Sequence, residues 1–152
     1  MTRLTVSGVH DLPDLGGVSG VVSLRDPQDP APAELDALEG LVLELVFHDT
    51  DGDLLDYAPE AWHLVRLERF LDDAGVRGGW LHVHCFAGMS RSPALASFAL
   101  ASLHPELTDA QVVRRILKVR PQAVPNVHLL RLADARLGRR LERAWKRQAG
   151  RY

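Results

Sequence analysis

The sequence predicts an α/β domain built on a small, mostly parallel sheet flanked by helices. Three observations lead to this class: short apolar segments come early, an amphipathic helical pattern separates two of them, and helical patterns fill the rest of the chain. A helix connecting two neighbouring strands returns the chain to the same end of the sheet, so such strands pair in parallel. With 152 residues, the chain is long enough for one domain, residues 1–152, with its own core.

The first half of the chain supplies the predicted strands. Residues 4–6 form a short apolar edge, and residues 20–24 are β-branched and bounded by glycines and a proline. A short helix over 32–41 leads to a strand over 41–47, which ends at the acidic turn HDTDGD. A third strand covers 80–84. The carboxyl ends of parallel strands share one rim of a sheet, and the acidic turn and the only cysteine both follow such ends.

Four helices complete the predicted fold. Residues 59–74 carry apolar side chains at helical spacing, with a proline in the first turn and a glycine at the exit. Residues 92–103 are almost uncharged, which predicts a buried helix. A capping box at Thr108 opens a helix to about residue 120, and the last helix is predicted to run without interruption over 126–147.

Composition and charge limit the functional classes. Hydrophobic residues make up 46% and charged residues 25%, which is typical of a soluble globular chain. We expect no membrane partner, because no apolar run approaches the roughly 18 residues of a membrane span. The N-terminus has no secretory h-region, and a single cysteine suits a reducing cytoplasm. The oligomeric state stays open.

The net charge of −2 is unevenly distributed. Residues 136–152 contain seven Lys or Arg and one Glu, a balance of +6, so residues 1–135 carry −8. An acidic body argues against nucleic-acid binding by the core. We interpret the basic region as the solvated end of a C-terminal helix, with contact to an anionic partner as the alternative.

The stretch VHCFAGMSRSP, residues 83–93, carries the chemistry. It leads from a strand into a helix, so its backbone N–H groups and the positive end of the helix dipole can surround an anion. Gly88 permits a close approach that a Cβ would block, and the planar fork of Arg91 can bind two phosphate oxygens. The same field favours the thiolate of Cys85, a nucleophile aimed at the bound phosphorus. A merely packed thiol would leave the arginine, the glycine and the two serines unexplained.

The pattern H-C-x-x-x-x-x-R followed by Ser resembles the signature of cysteine-based protein tyrosine phosphatases. VHCFAGMSRSP looks most like the dual-specificity-like subgroup, including small bacterial members. FHDTDGD is similar to the segment that supplies the catalytic aspartate, and RPQAVPNVHLL resembles the stretch after the next helix. The resemblance covers about residues 20–135. It implies the cysteine-phosphatase fold and hydrolysis of phosphate monoesters through a phosphocysteine intermediate, with no cofactor and no metal.

The resemblance also implies roles for individual residues. Cys85 is the nucleophile, and Arg91 binds the phosphate and stabilises the transition state. His84 orders the loop and favours the thiolate. Ser92 is placed to donate a hydrogen bond from its hydroxyl to the thiolate as it leaves in the second step. The backbone of the loop completes the substrate-binding cradle, with Phe86 and Met89 at its wall or rim; the loop residues are Phe86, Ala87, Gly88, Met89, Ser90 and Arg91.

The general acid must protonate the leaving oxygen and then activate water. Asp49 matches the family position best because it follows Phe-His at a strand end, while Asp51 and Asp53 remain alternatives in the same loop. His48 either tunes this acid or makes a structural hydrogen bond. Asn126 either fixes the phosphate loop through backbone hydrogen bonds or only caps a helix.

Two rival functions remain at this point. A rhodanese-like sulfurtransferase also places a cysteine after a strand, but five residues between cysteine and arginine suit a phosphate-sized anion better. A non-catalytic phosphate-binding module would normally lack the cysteine or the arginine. The expected partner is a phosphorylated protein or a small phosphomonoester. Phosphotyrosine ranks first, then phosphoserine or phosphothreonine, and a small molecule or RNA 5′ end last.

Overall fold

A four-stranded parallel sheet forms the centre of the molecule, with strand order β1-β4-β2-β3. The computed structural model describes residues 1–38, 41–52 and 56–149. The strands are β1 (Arg3–Ser7), β2 (Gly20–Arg25), β3 (Val42–Val46) and β4 (Trp80–His84). The predicted fold class is therefore confirmed. The prediction was a mostly parallel sheet, and every strand pairing in the described part of the sheet is parallel.

The described residues include five α-helices, which share one core cluster with the sheet. They are α1 (Ala61–Asp73), α2 (Arg91–Leu103), α3 (Asp109–Val119), α4 (Val127–Leu137) and α5 (Leu141–Ala149). The short helix predicted before β3 is a 3-10 helix over Ala33–Leu38. No helix within the described ranges is long and apolar enough to cross a membrane.

The single helix predicted over 126–147 is wrong, because two helices occupy that region. Gly138 ends α4 in the left-handed conformation with φ of 65°, which suits a residue without a Cβ. Asp134 then starts α5, since its carboxylate accepts hydrogen bonds from Leu141 N at 2.6 Å and Glu142 N at 3.2 Å. The break turns the basic C-terminal region back across the bundle, although its last residues, 150–152, lie outside the described chain.

The core places β4 and α2 at the centre of the molecule. All five residues of β4 are buried, between β1 on one side and β2 on the other. The uncharged α2 is buried along nearly its whole length, as its composition predicts. Helix α5 packs against it through Trp145, which is fully buried and donates from Nε1 to Ser97 Oγ at 3.0 Å. The two elements that the cysteine-containing turn connects are therefore both held in the core.

His82 is a packed histidine at the middle of β4. Its side chain is fully buried, and its two ring nitrogens contact Thr5 Oγ1 at 2.6 Å and Ser7 Oγ at 2.9 Å. Burial lowers the pKa of His82 to about 4, with a smaller contribution from the neighbouring His84. The folded protein therefore holds a neutral imidazole here at pH values where an unfolded chain binds a proton.

We expect His82 to make the folded protein sensitive to mild acid. Between pH 6.5 and about 4 the unfolded chain protonates this histidine and the folded chain does not, so the free energy of unfolding falls as the pH falls. The loss by pH 4.5 is about 2–3 kcal/mol. Urea unfolding of wild type and His82→Gln at pH 7 and 4.5 measures it, with the exposed His10→Gln as control. An identical loss in wild type and His82→Gln would contradict the assignment.

Candidate active site

The cysteine loop, residues 85–90, joins the carboxyl end of β4 to the first residue of α2. Cys85 is only 2% exposed, and its Sγ lies 3.1 Å from Ser92 Oγ. The backbone N–H of Gly88 also donates to Sγ, at 3.2 Å. Ser92 and Cys85 are thus brought together as the sequence predicts. The sulfur therefore has two hydrogen-bond partners, one from the loop and one from the first turn of α2.

The carbonyl oxygens of the cysteine loop point away from its interior. Every carbonyl from Phe86 to Ser90 accepts a hydrogen bond from a group outside the loop. The pairs are Val9 N to Phe86 O, Arg120 to both Ala87 O and Gly88 O, Val124 N to Met89 O, and Asn126 N to Ser90 O, at 2.7 to 3.0 Å. Because C=O and N–H of a trans peptide point in opposite directions, the N–H groups face the interior. This is an anion cradle.

Arg120 is a site residue that the sequence analysis missed. Its Nε donates to Gly88 O and its Nη2 to Ala87 O, both at 2.9 Å. Asp11 forms an ion pair with the same guanidinium and accepts from Gly8 N at 2.7 Å. Arg120 lies just after α3, where a basic residue is expected to be solvated. Only its place at the start of the RPQAVPN segment offered a signal.

Gly88 and Gly8 allow the cysteine loop and the end of β1 to touch. Gly88 has φ of +73°, and a Cβ there would lie 2.5 Å from Gly8 N. A Cβ on Gly8 would in turn lie 2.6 Å from Phe86 O. Neither position tolerates a larger residue without moving the backbone, which agrees with the close approach predicted for Gly88.

Arg91 is held at the rim of the cradle by two oxygen atoms. Its side chain is almost fully buried, and Nη1 donates to Asp26 Oδ1 at 2.7 Å and to Phe47 O at 2.8 Å. Asp26 also lies 3.4 Å from Nδ1 of His48. Of the two alternatives for His48, tuning of Asp49 or a structural contact, this contact with the arginine's partner favours the structural one. Asp26 was missed because it stands in a loop rich in Asp and Pro, which reads as a solvated turn.

Asp49 lies against the cysteine loop. Its Oδ1 accepts from Ser90 Oγ and from Asn126 Nδ2, both at 2.7 Å. Asp51 is exposed and lines the same depression of about 690 Å³ as Asp49 and Ser90. The third alternative, Asp53, lies outside the described residues. Of the aspartates described, Asp49 is the one joined to the loop by hydrogen bonds.

Asn126 combines the two roles that the sequence left open. Its backbone N–H donates to Ser90 O at 3.0 Å, which fixes the end of the cysteine loop. Its side-chain oxygen accepts from Leu129 N at 2.8 Å and so caps α4. Its amide Nδ2 also donates to Thr50 O at 2.7 Å. One residue thus connects the loop, the acidic segment and a helix start.

His84 is buried behind the cysteine. Nε2 lies 2.7 Å from Ser23 Oγ, and Nδ1 lies 3.3 Å from Cys85 O. Burial lowers the pKa of His84 below its usual value, so the ring is neutral at pH 7. His84 therefore orients the backbone at Cys85, and it does so without a positive charge of its own.

Exposed apolar side chains form the rim. Phe86 is 53% and Met89 is 41% exposed, and the ring of His10 meets Phe86 edge to face at a centroid distance of 5.4 Å. A neighbouring depression of about 460 Å³ is lined by Phe86, His10 and residues of the segment 29–34. Among the described residues, no three His, Cys, Asp or Glu side chains are grouped as metal ligands would be.

Comparison with known proteins agrees with this architecture. No protein-family model matches the chain. Dual specificity protein phosphatase 1 of Arabidopsis thaliana is 39% identical over 62 residues, which cover 41% of this chain and 31% of that protein. The chain thus matches about a third of the length of this relative.

Solved structures extend the likeness over nearly the whole chain. Human DUSP28 superposes with a TM-score of 0.66 and 22% identity, covering 97% of this chain and 99% of that one. PTPMT1 in complex with PI(5)P gives a TM-score of 0.66 and 17% identity, covering 95% and 94%. The chain therefore has the fold of the cysteine-based dual-specificity phosphatases.

Proposed function

We propose that this protein hydrolyses phosphate monoesters through a phosphocysteine intermediate, with phosphotyrosine in a protein as the first substrate class. One observation carries the proposal: the Cys85 sulfur lies beneath a loop whose carbonyls are all bound from outside. The inward N–H groups fit the equatorial oxygens of a phosphoryl group, and the sulfur is then placed for in-line attack.

The first step forms an S–P bond and breaks the P–O bond of the substrate. The Cys85 thiolate supplies the electron pair, and Asp49 gives its proton to the leaving oxygen. Both described hydrogen bonds of the Arg91 guanidinium are made by Nη1, and we assign its Nε and Nη2 to two phosphate oxygens of the substrate. Asp26 and Phe47 O therefore position the arginine without binding those two nitrogens.

The second step breaks the S–P bond and releases inorganic phosphate. Asp49, now a carboxylate, takes a proton from the attacking water. The Cys85 thiolate leaves, and the Ser92 hydroxyl, 3.1 Å from the sulfur, donates a hydrogen bond to the negative charge that develops there. No cofactor or metal takes part in these steps. We further propose a reducing compartment such as the cytoplasm, because the nucleophile must stay a free thiol.

Hydrolysis of p-nitrophenyl phosphate in the presence of a metal chelator tests this function. We expect steady turnover, and acid quenching during turnover should give Cys85 with the added mass of a phosphoryl group. A well-folded protein that binds phosphate but releases no nitrophenol would favour a non-catalytic module. Sulfur transfer from thiosulfate to cyanide, with no phosphatase activity, would favour the rhodanese-like alternative.

Replacing Asp49 with asparagine should slow the reaction most for substrates with poor leaving groups. The amide keeps both hydrogen-bond partners of the carboxylate within reach but has no proton to give, so kcat/KM for an alkyl phosphate should fall about 10²–10³-fold. Aryl phosphates with acidic leaving groups should lose far less in the first step. Steady-state rates for a leaving-group series measure the contrast, with Asp51→Asn as the matched control. The reverse pattern would assign the acid to Asp51.

Substrate preference within the monoesters follows from the cradle. Its side chains are Phe, Ala, Gly, Met and Ser, with no lysine to hold additional phosphates. This supports phosphoproteins over highly phosphorylated inositol lipids, although PTPMT1 has been solved with PI(5)P. The exposed Phe86 and Met89 suit an aryl ring entering the site.

A further inference from the structure

The basic C-terminal region predicted as a solvated helix end lies beside the candidate active site. The 690 Å³ depression that contains Asp49 and Ser90 is also lined by Arg131 and Lys146. Lys146 belongs to α5, which the break at Gly138 turns back against the bundle. The same helix is anchored through the buried Trp145. The helix that carries the basic side chains is therefore anchored to the core that supports the cysteine loop.

A mostly basic surface, with Glu142 and Asp109 among its lining residues, extends from this depression along α5. Lys146 also lines a second depression together with Arg143 and Arg147, and these two arginines line a third together with Arg140. We call Lys146, Arg143, Arg147 and Arg140 the basic track. All four side chains are exposed. Because each depression shares a residue with the next, a bound chain can follow the track without leaving the surface.

Charge along the basic track is only partly neutralised. Glu142 is shared by Lys146 at 2.9 Å and Arg131 at 3.1 Å, so one carboxylate faces two cations. Within the described ranges, neither Arg143 nor Arg147 has a carboxylate within 4 Å. A surface of this kind attracts negatively charged ligands and raises their rate of association.

We propose that the basic track binds an acidic segment of a phosphoprotein substrate while the phosphorylated residue occupies the cysteine loop. The inference rests on the proposed function and names its substrate class more closely. Two observations favour a peptide: the track is elongated, and it is continuous with the depression at Ser90. The anionic groups can be carboxylates or additional phosphates, since both have the charge that Lys and Arg bind.

Three phosphotyrosine peptides of matched sequence test the proposal, with Glu, Gln or phosphoserine at the flanking positions. We expect kcat/KM to be about tenfold higher for the Glu than for the Gln peptide at low salt, and the ratio to approach one at high salt. A higher value for the phosphoserine peptide would identify additional phosphates as the preferred source. In the double variant Arg143→Glu/Arg147→Glu, the ratio of kcat/KM for the Glu peptide to that for the Gln peptide should fall to about one at low salt.

Arg77→Glu is the control for charge reversal. It reverses one positive charge, where the double variant reverses two, at an exposed position before the amino end of β4. This position is at the opposite end of the strands from the cysteine loop, so the variant should keep the wild-type ratio. Equal kcat/KM for the Glu and Gln peptides in wild type would overturn the proposal while p-nitrophenyl phosphate turnover still upheld the function. The proposal would also be overturned if the Glu-to-Gln ratio were the same in Arg143→Glu/Arg147→Glu as in Arg77→Glu.

Binding measurements keep the proposal testable if no turnover is found. Fluorescence anisotropy with Cys85→Ser compares the affinities of the Glu and Gln peptides directly, and a loss of the difference in Arg143→Glu/Arg147→Glu supports the track. Sedimentation with phosphatidylserine vesicles tests the other anionic surface. If vesicle binding depended on Arg143 and Arg147 and both peptides bound with equal affinity, the proposal of a peptide ligand would be overturned. The ligand of the basic track would then be a membrane surface.

Discussion

Replacing Cys85 with serine should abolish measurable hydrolysis of aryl phosphates, with a loss of at least about 10⁴-fold in kcat. The serine hydroxyl is similar in size to the thiol, so the contacts to Ser92 and to the Gly88 N–H have acceptable counterparts in the variant. The hydroxyl stays protonated at neutral pH and is a poor nucleophile. A change of one atom therefore removes the chemistry and leaves the cradle in place.

Anion binding supplies the control for this variant. Titration with vanadate or inorganic phosphate should give affinities in Cys85→Ser that match or exceed those of wild type, since the N–H donors of the loop and Arg91 are retained. Activity in Cys85→Ser equal to that of wild type would show that another group hydrolyses the substrate. Loss of both anion binding and a folded spectrum would call for Cys85→Ala as the replacement variant.

The central strand and the cysteine loop were predictable because their determinants are local. The residues of β4 and the start of α2 match the predicted bounds closely, and Cys85, Gly88 and Arg91 lie within one short turn. A strand-to-helix loop of fixed length leaves few conformations, and the positive φ of Gly88 selects one. The spacing of these residues in the sequence therefore determines their relative positions in the folded loop.

The groups that support the loop were not predictable in the same way. Arg120 is 32 residues from Gly88, and Asp26 is 65 residues from Arg91, so no periodicity connects the members of either pair. Each also has an ordinary explanation as a solvated charge. Packing against the loop gives them their role, and packing depends on how β1, β2 and α3 are arranged around β4.

The break between α4 and α5 was missed for a different reason. Apolar residues keep helical spacing across Gly138, so the periodic pattern continues although the chain turns. The left-handed cap at Gly138 and the carboxylate of Asp134 decide the outcome. A glycine followed by two arginines was the available signal. This error concealed the placement of Lys146, because only the turned helix brings that residue beside the candidate active site.

Replacing Arg91 with lysine should reduce kcat/KM about 10³-fold even though the positive charge is kept. Lysine has a single charged nitrogen, whereas the guanidinium contacts Asp26 and Phe47 O through Nη1 and keeps Nε and Nη2 for the two phosphate oxygens that we propose it binds. One ammonium group cannot bind Asp26 and Phe47 O and also bind two phosphate oxygens. Lysine will be drawn to the Asp26 carboxylate, and the cradle loses its two-pronged donor.

The division of this loss between kcat and KM tests what the arginine does. Spreading charge over the equatorial oxygens in the transition state demands more of a planar donor than binding the ground state does, so most of the loss should appear in kcat.

Asp26→Asn is the matched comparison, because it keeps an oxygen acceptor for Nη1 and removes only its charge. We expect that variant to lose less than about tenfold, since one hydrogen bond is weakened rather than removed. A loss in Arg91→Lys confined to KM would reduce the arginine to a phosphate-binding residue. A larger loss in Asp26→Asn than in Arg91→Lys would give the carboxylate a catalytic role beyond positioning.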